Sequence, residues 1–472
     1  MRKTKIVCTL GPASNNEQTI EKLFINGMNV ARLNFSHGAH EEHRKTIELF
    51  RSVRDRLGLP AAILLDTRGP EIRTCLVENG EVTLEQGQAF RLICEEKTGN
   101  SEFVSITYPG LQKIVNIGDT IKVDDGAIIL SVKEVRDDEI VCIVEVGGVL
   151  KNRKSINVPG VHLDMPYLSE KDKKDILFGI ENDVDYIAAS FVRTPQDVIE
   201  LRKFINYHGG HNIKIIAKIE NSEGVANFDS ILRESDGIMV ARGDMGVEVE
   251  YEKLPGLQKR FIKKCYGSGK IVITATQMLE SMIHSYNPTR AEITDVANAV
   301  FDGTSAVMLS GETAMGEHPD RVVEVMASIV RQAEADAVEL NMFKENCFLS
   351  ENDTANAICD AACTTARDLG AQAIIAVTKS GHSARRLSKF RPNEPIVAST
   401  PELKTYHQLA LSWGVHPVLA LNQESEEKLF RYALDCAKQI DAVKRGDTVV
   451  IIGGAPINVS GNTNMLKVMI AD

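Results

Sequence analysis

The chain is predicted to be an α/β protein: a closed (β/α)8 barrel with an inserted all-β lid domain and a separate C-terminal α/β domain. Three observations predict it. Eight short apolar, β-rich runs alternate with amphipathic helical patterns, an order that builds a parallel sheet, and a count of eight favours closure into a barrel. The alternation is interrupted once by strand-like pieces without a helix. After a polar connector, it resumes as a second α/β series.

The barrel strands are read at Lys5–Leu10, Met28–Leu33, Ala61–Leu65, Tyr186–Ala189, Lys214–Ile219, Gly237–Val240, Ile271–Thr274 and Ala306–Leu309. Helical patterns such as Glu17–Asn26, His40–Leu57 and Pro195–Tyr207 lie between them. From Glu71 to Asp164 the pieces Glu81–Leu84, Thr120–Val123, Ile128–Val135 and Ile140–Val146 are separated by Gly, Asp and Asn turns, which reads as an all-β insertion. It leaves the barrel directly after the third strand. That places it over the C-terminal mouth, where such barrels hold their chemistry, and a mobile lid is expected. After Met342 the stretch FKENCFLSENDT is polar and turn-rich. Beyond it come Thr354–Leu369, Ala373–Val377, Ser383–Phe390, Ile396–Ala398, Pro417–Leu421, Glu424–Ile440 and Thr448–Gly453. The expected domains are a barrel at 1–70 and 165–342, a β-barrel-like lid at 71–164 and a regulatory α/β domain at 343–472.

Composition narrows the function. With 43% hydrophobic and 25% charged residues over 472 positions, the chain has an ordinary globular balance. Its 54 basic and 65 acidic side chains leave a formal charge of -11, which opposes nonspecific attraction to nucleic acid. Phosphate ligands would need locally focused cations. No run approaches the roughly 20 apolar residues that span a bilayer, and MRKTKIVCTLG lacks a signal-peptide core. A soluble, cytoplasmic protein without membrane or nucleic-acid partners is expected. Nine scattered cysteines without a CxxC pair read as reduced thiols, and Cys359 and Cys363 read as core packing.

Residues just past the C-terminal ends of barrel strands converge on one face. The second run is followed by Arg32, Asn34, Ser36 and His37, and the third by Asp66, Thr67 and Arg68. The fifth carries Lys218 and Glu220, the sixth ends in Arg242 and Asp244, and the seventh runs into Thr276 and Gln277. Lys218 and Glu220, two apart on a strand, point to one side, and Asp244 arrives from the next strand. Two carboxylates beside a lysine suit phosphoryl transfer. Magnesium takes a few carboxylates with water and substrate oxygens, while the lysine opposes charge on the transferring phosphoryl group and an enolate oxygen. A buried Lys–Glu ion pair is the alternative reading. Gly243 lets the backbone approach a ligand closely, and Arg32 and Arg73 could grip phosphate oxygens in a fork. Asn34, Ser36, Asp66 and Thr67 offer oxygens from two adjacent strand ends, either a hard-cation site or ordinary loop hydrogen bonding. In the C-terminal domain TKSGHS (Thr378, Lys379, Ser380, Gly381, His382, Ser383) leads into the basic helix SARRLSKF. With Arg385 and Arg386 nearby it reads as a phosphate cradle or as a capped surface helix, and Gly461, Asn462 and Thr463 offer a second loop.

The blocks ARLNFSHG, LLDTRGPEIRT, AKIEN, IMVARGDMGVE, TATQMLESM and MLSGETAMGEHP closely resemble the signature blocks of the pyruvate kinase family. They run from Lys3 to about Pro319, and the insertion and the C-terminal domain follow in that family's order. The resemblance is to the bacterial-type form without an N-terminal extension or a phosphotransfer-like C-terminal domain. It implies a cytoplasmic, allosteric homotetramer that moves phosphate from phosphoenolpyruvate to ADP, giving pyruvate and ATP, as the final step of glycolysis. It further implies Lys218 as the catalytic cation, Glu220 and Asp244 on Mg2+ or Mn2+, and Arg32 on the phosphoryl group. Gly243, Asp244 and Thr276 would hold the substrate carboxylate, with Thr276 assisting a water that protonates the enolate. Asn34, Ser36, Asp66 and Thr67 would bind K+, while Asn34, Phe35, Ser36, His37, Arg73 and Lys154 would meet the nucleotide. Glu71 stands where potassium-independent relatives carry a lysine, which implies potassium dependence. The 378–383 loop would bind an effector: fructose 1,6-bisphosphate, ribose 5-phosphate or AMP.

Two other readings compete. A metal-dependent aldolase or lyase would need the same lysine and carboxylates, but not Arg73 and Lys154. A catalytically silent sensor of sugar phosphates would have no chemical reason to keep Lys218, Glu220, Asp244 and Thr276 together.

Overall fold

The computed structural model describes residues 1–163, 165–340, 342, 353–457 and 461–472, so most of the polar connector read after Met342 lies outside the described residues. The eight predicted strands all form, within a residue or two of their expected ends. They are β1 (Lys5–Thr9), β2 (Val30–Asn34), β3 (Ala62–Asp66), β4 (Tyr186–Ala189), β5 (Lys214–Ile219), β6 (Gly237–Ala241), β7 (Ile271–Ala275) and β8 (Ala306–Leu309). They close into a parallel barrel in sequence order, with β8 pairing back onto β1. This is the TIM-barrel arrangement.

Nearly every strand residue is buried, because helices cover the outside and side chains fill the inside. That double burial explains why the strands read as unbroken apolar runs. Ile6, Leu33, Leu65 and Ile187 face the helical layer, while Val7, Leu64, Tyr186, Met239 and Met308 fill the interior. Leu411, from the C-terminal domain, joins that interior cluster and is fully buried. Lys5 Nζ donates to Val415 O at 2.6 Å, and Tyr186 Oη to Gln408 O at 2.6 Å. The C-terminal domain is therefore packed against the end of the barrel where the strands begin.

The insertion forms between Asp66 and the helix Glu170–Glu181, as expected. Its main sheet has seven strands in the order Ile72–Arg73, Ser155–Asn157, Thr120–Val123, Ile128–Val135, Glu139–Val146, Ala89–Ile93, Phe103–Ser105, beside a two-stranded pair, Glu81–Leu84 with Gly148–Lys151. Ile128, Leu130 and Val132 alternate inward and meet Ile140, Cys142 and Val144, the half-buried pattern of an antiparallel sheet. From the adjacent strands Thr120–Val123 and Ser155–Asn157, Lys122 Nζ donates to Val247 O at 2.5 Å and Asn157 Nδ2 to Glu248 Oε1 at 3.0 Å, so the lid rests on the segment that follows β6.

The C-terminal sheet contains β9 (Ala373–Val377), β10 (Ile396–Thr400), β11 (Val415–Leu419), β12 (Thr448–Gly453) and β13 (Met465–Ile470), ordered β11-β10-β9-β12-β13. The last strand is antiparallel and was not anticipated, since MLKVMI at an edge keeps much of its apolar surface exposed and lacks a clean alternation. The described cysteines are all free thiols, and Cys359 is buried against Ser383. Among the described residues no helix is long and apolar enough to cross a membrane.

Candidate active site

Strand register brings the polar residues together. Arg32 pairs with Leu64 and Asn34 with Asp66 across β2 and β3, so both strands deliver polar groups to the same rim. Asp66 is 1% exposed and forms the hub of the site. Its Oδ2 accepts from Arg32 Nε at 2.6 Å, and its Oδ1 from Lys218 Nζ at 3.1 Å and Ser190 Oγ at 3.1 Å. Lys218 Nζ also donates to Ser190 Oγ at 2.7 Å and pairs with Glu220 Oε1 at 2.9 Å. Glu220 sits one residue beyond β5, and its Oε2 accepts from Phe191 N at 2.6 Å. Phe191 holds a φ of 53°, an uncommon left-handed conformation at this rim.

The electrostatics follow from burial set against these partners. Burial alone would raise the Asp66 carboxyl, yet Lys218 and Arg32 outweigh it and hold it below its ordinary value. Burial alone would lower the Lys218 ammonium, yet Asp66 and Glu220 outweigh it and raise its pKa. Lys218 is thus a charged lysine at every physiological pH. Glu220 and Asp244 are both raised, chiefly by burial, with Asp244 adding to the effect on Glu220 and the lid residue Asp125 adding to that on Asp244. Lys218 offsets part of that rise at both carboxyls, and two buried carboxylates beside one lysine are a donor set suited to a hard divalent cation.

Asp244 lies in the first turn of the helix Arg242–Glu248. A Cβ on Gly243 would come within 2.8 Å of Thr276 Cγ2, so only glycine lets that backbone lie against Thr276. Thr276 and Gln277 have φ of 75° and 56°. Their turn is held by Arg242, which donates to Thr276 O at 2.6 Å and pairs with Asp295 at 2.7 Å.

The residues expected to meet nucleotide divide into two groups. Arg73 and Lys154 are brought together by the lid strands at Ile72–Arg73 and Ser155–Asn157. Arg73 Nε donates to Glu71 Oε1 at 2.7 Å, and Lys154 Nζ pairs with Asp124 at 2.9 Å. In the loop after β2, Asn34 Oδ1 accepts from Ser36 N at 3.1 Å, and His37 is exposed. The Phe35 ring is buried, stacked on His43 at 4.0 Å, and its carbonyl accepts from Lys171 Nζ, so its side chain serves the core.

In the C-terminal domain, Gly381 has a φ of 77°, and its N–H donates to Thr378 Oγ1 at 3.0 Å. Ser383 Oγ and Thr463 Oγ1 lie 2.5 Å apart, joining the two loops paired in the sequence reading. Thr378 and Lys379 line a small cleft with Asn422 and Gly454. His382, Arg385 and Arg386 open instead on a different cleft, beneath the barrel.

Several site residues escaped the sequence reading: Thr9, which accepts from Arg32 at 2.9 Å; Ser190 and Phe191; and Glu312, whose carboxylate accepts from Ser310 N and Leu279 N. Thr9 ends β1, Ser190 follows β4 and Glu312 follows β8. The strand-end rule that found Lys218 would have found them too.

The family described as "Pyruvate kinase, barrel domain" matches residues 1–323, and "Pyruvate kinase, alpha/beta domain" matches residues 356–469. The pyruvate kinase of Clostridium acetobutylicum is 46% identical over 473 residues, covering 100% of both chains. That of Staphylococcus haemolyticus is 48% identical over 99% of this chain and 80% of its own. The crystal structure of a pyruvate kinase from Cryptosporidium parvum superposes with a TM-score of 0.94 at 41% identity, covering 100% of this chain and 96% of that one. With the barrel, the lid, the C-terminal domain and the Lys218 cluster in place, the chain belongs to the pyruvate kinase family.

Proposed function

We propose that Lys218, Arg32 and Thr276 carry the chemistry of this chain, with Glu220 and Asp244 as its divalent-metal ligands. The chain is a phosphotransferase, a pyruvate kinase that moves the phosphoryl group of phosphoenolpyruvate to ADP and gives pyruvate and ATP, the final step of glycolysis. The observation that carries the residue assignment is the buried Arg32–Asp66–Lys218–Glu220 chain of ion pairs, which fixes two cations at the barrel mouth.

In the reaction an ADP β-phosphate oxygen attacks phosphorus in line, and the enolate leaves. Arg32 holds the phosphoryl oxygens in its fork, and Lys218, kept charged by its two carboxylates, opposes the charge that develops on the phosphoryl and enolate oxygens. Gly243 and Asp244 offer their backbone, and Thr276 its hydroxyl, to the substrate carboxylate. Thr276 also orients the water that protonates the enolate, because a hydroxyl by itself is too weak an acid near neutrality. Arg73, Lys154 and the Asn34–His37 loop hold the nucleotide. Positioning supplies much of the rate.

Glu220 and Asp244 suit Mg2+ or Mn2+, which is commonly held by one or two carboxylates with water and substrate oxygens. A metal held there supplies positive charge to the phosphoryl and enolate oxygens. Because burial raises both carboxyls, protons compete with the metal. Mn2+ affinity in the absence of substrate is expected to weaken on going from pH 8 to pH 6, measured by titration calorimetry; an affinity independent of pH would remove these two residues as ligands.

Asn34, Ser36, Asp66 and Thr67 suit K+ as neutral and anionic oxygen donors, a reading supported by the register that pairs Asn34 with Asp66. Glu71 adds no ammonium of its own and is held by Arg68 and Arg73. The test of the function is a coupled assay of pyruvate formation from phosphoenolpyruvate and ADP with Mg2+. Replacing K+ by a bulky organic cation is expected to lower turnover by roughly tenfold or more, and Glu71→Lys should relieve the requirement. Absence of pyruvate under all conditions would favour the lyase or sensor reading. A sugar-phosphate or nucleotide effector at the Thr378–Ser383 loop, a lid spanning 71–164 and a homotetrameric assembly complete the reading, supported by the family resemblance.

A further inference from the structure

We propose a second anion site, away from the catalytic mouth and sharing only His382 with the 378–383 loop, that takes a small molecule carrying two or more phosphate groups. It lies in a cleft of about 1090 Å³ at the opposite end of the barrel from the chemistry. The floor is built where strands begin: Tyr186 opens β4, Lys214 opens β5 and Ile271 opens β7. One wall is the C-terminal-domain helix His382–Lys389, and the other is formed by barrel residues around Arg233 and Lys263.

Charge is the informative feature. Eight lysines and arginines line the cleft against three carboxylates, in a chain whose formal charge is -11. Some are already matched. Lys264 pairs with Asp229 at 2.6 Å, Lys214 with Asp236 at 3.4 Å and Arg386 with Asp353, while Lys270 donates to three backbone carbonyls. Arg385 donates to Ser380 O at 2.6 Å. The exposed side chains of Arg233 and Lys263 make no ion pair or hydrogen bond among the described residues. The cations also act on each other across the two domains. Burial lowers the pKa of His382, and Arg385 from the helical wall and Lys214 from the floor lower it further.

Like charges gathered from two domains repel, and a cleft with low-dielectric walls focuses the resulting field. A polyanion relieves that repulsion on both sides at once. The cleft volume is that of a small-molecule site, which excludes a nucleic-acid duplex. Its long wall, the helix His382–Lys389, begins at the loop assigned above to an effector. A ligand in the cleft would therefore tie that helix to the strand that carries Lys218.

The test is titration calorimetry on the full chain without substrates, using inorganic pyrophosphate and fructose 1,6-bisphosphate as probes, with ribose 5-phosphate as the single-phosphate comparison. The probes are titrated into the unsubstituted chain, into Arg233→Glu/Lys263→Glu and into Lys379→Ala. Both charge reversals lie on exposed side chains outside the catalytic machinery, so turnover and circular dichroism should be unchanged. Pyrophosphate is expected to bind the unsubstituted chain, to bind at least roughly tenfold more weakly after the double reversal, and to bind Lys379→Ala as before. Ribose 5-phosphate should bind more weakly than either probe. No binding, binding insensitive to the double reversal, or binding lost only in Lys379→Ala would overturn the proposal. None of these outcomes bears on the active-site assignment, which the Lys218 and metal measurements test separately.

Discussion

Lys218→Met is expected to lower turnover by about three orders of magnitude while the chain stays folded. Methionine keeps most of the aliphatic stem and removes the ammonium. Asp66 would retain Arg32 and Ser190, and Glu220 would retain the Phe191 N–H, so no carboxylate at the centre is left without a donor. What disappears is the positive charge that opposes the phosphoryl and enolate oxygens, which matters most in the transition state. The loss should therefore fall on kcat more than on KM for phosphoenolpyruvate. A coupled assay reads both, and circular dichroism with Mn2+ titration reports on fold and metal site. Near-normal kcat in a folded variant would remove Lys218 from the chemistry.

That lysine was legible because it lies in a buried parallel strand, where a charged residue stands out from an apolar run and the barrel rule gives it a direction. All eight strands were legible for the same reason, since double burial writes them as short, unbroken apolar segments. The hub was less so. Asp66 was read as one of four oxygen donors, yet its larger role is to hold Arg32 and Lys218 apart and aimed, and only the three-dimensional pairing across β2, β3 and β5 displays that. Ser190 follows the strand-end rule but looks like any other serine until its hydroxyl is seen between Lys218 and Asp66. Phe35 shows the opposite failure, because its neighbours in the loop are polar while its ring is buried on His43. The lid strands Ala89–Ile93 and Phe103–Ser105 and the edge strand β13 carry short or half-exposed patterns, and their existence depends on the partners they pair with rather than on their own periodicity.

Asp66→Ala should produce the second large effect, this time on stability as well as activity. Removing the carboxylate leaves the Arg32 guanidinium and the Lys218 ammonium close together, each only 9% exposed. Breaking a buried ion pair from one side typically costs about 3–5 kcal/mol, because the remaining charge is desolvated without compensation. Lys218 keeps Glu220 and Arg32 keeps Thr9, which places the expected cost toward the lower end of that range. The pH dependence gives a sharper signature. The folded Asp66 carboxyl titrates below its unfolded value, since Lys218 and Arg32 overcome the effect of burial. Its contribution is therefore fully present above the ordinary carboxylate range and is lost as pH falls through the depressed folded value. Urea unfolding of the unsubstituted chain and of Asp66→Ala should differ most near pH 7 and converge on acidification, with Asp66→Asn, which keeps the shape but not the charge, converging in the same way. A gap that stayed constant with pH would mean that Asp66 acts through packing alone, and that the two cations at the barrel mouth do not depend on its charge.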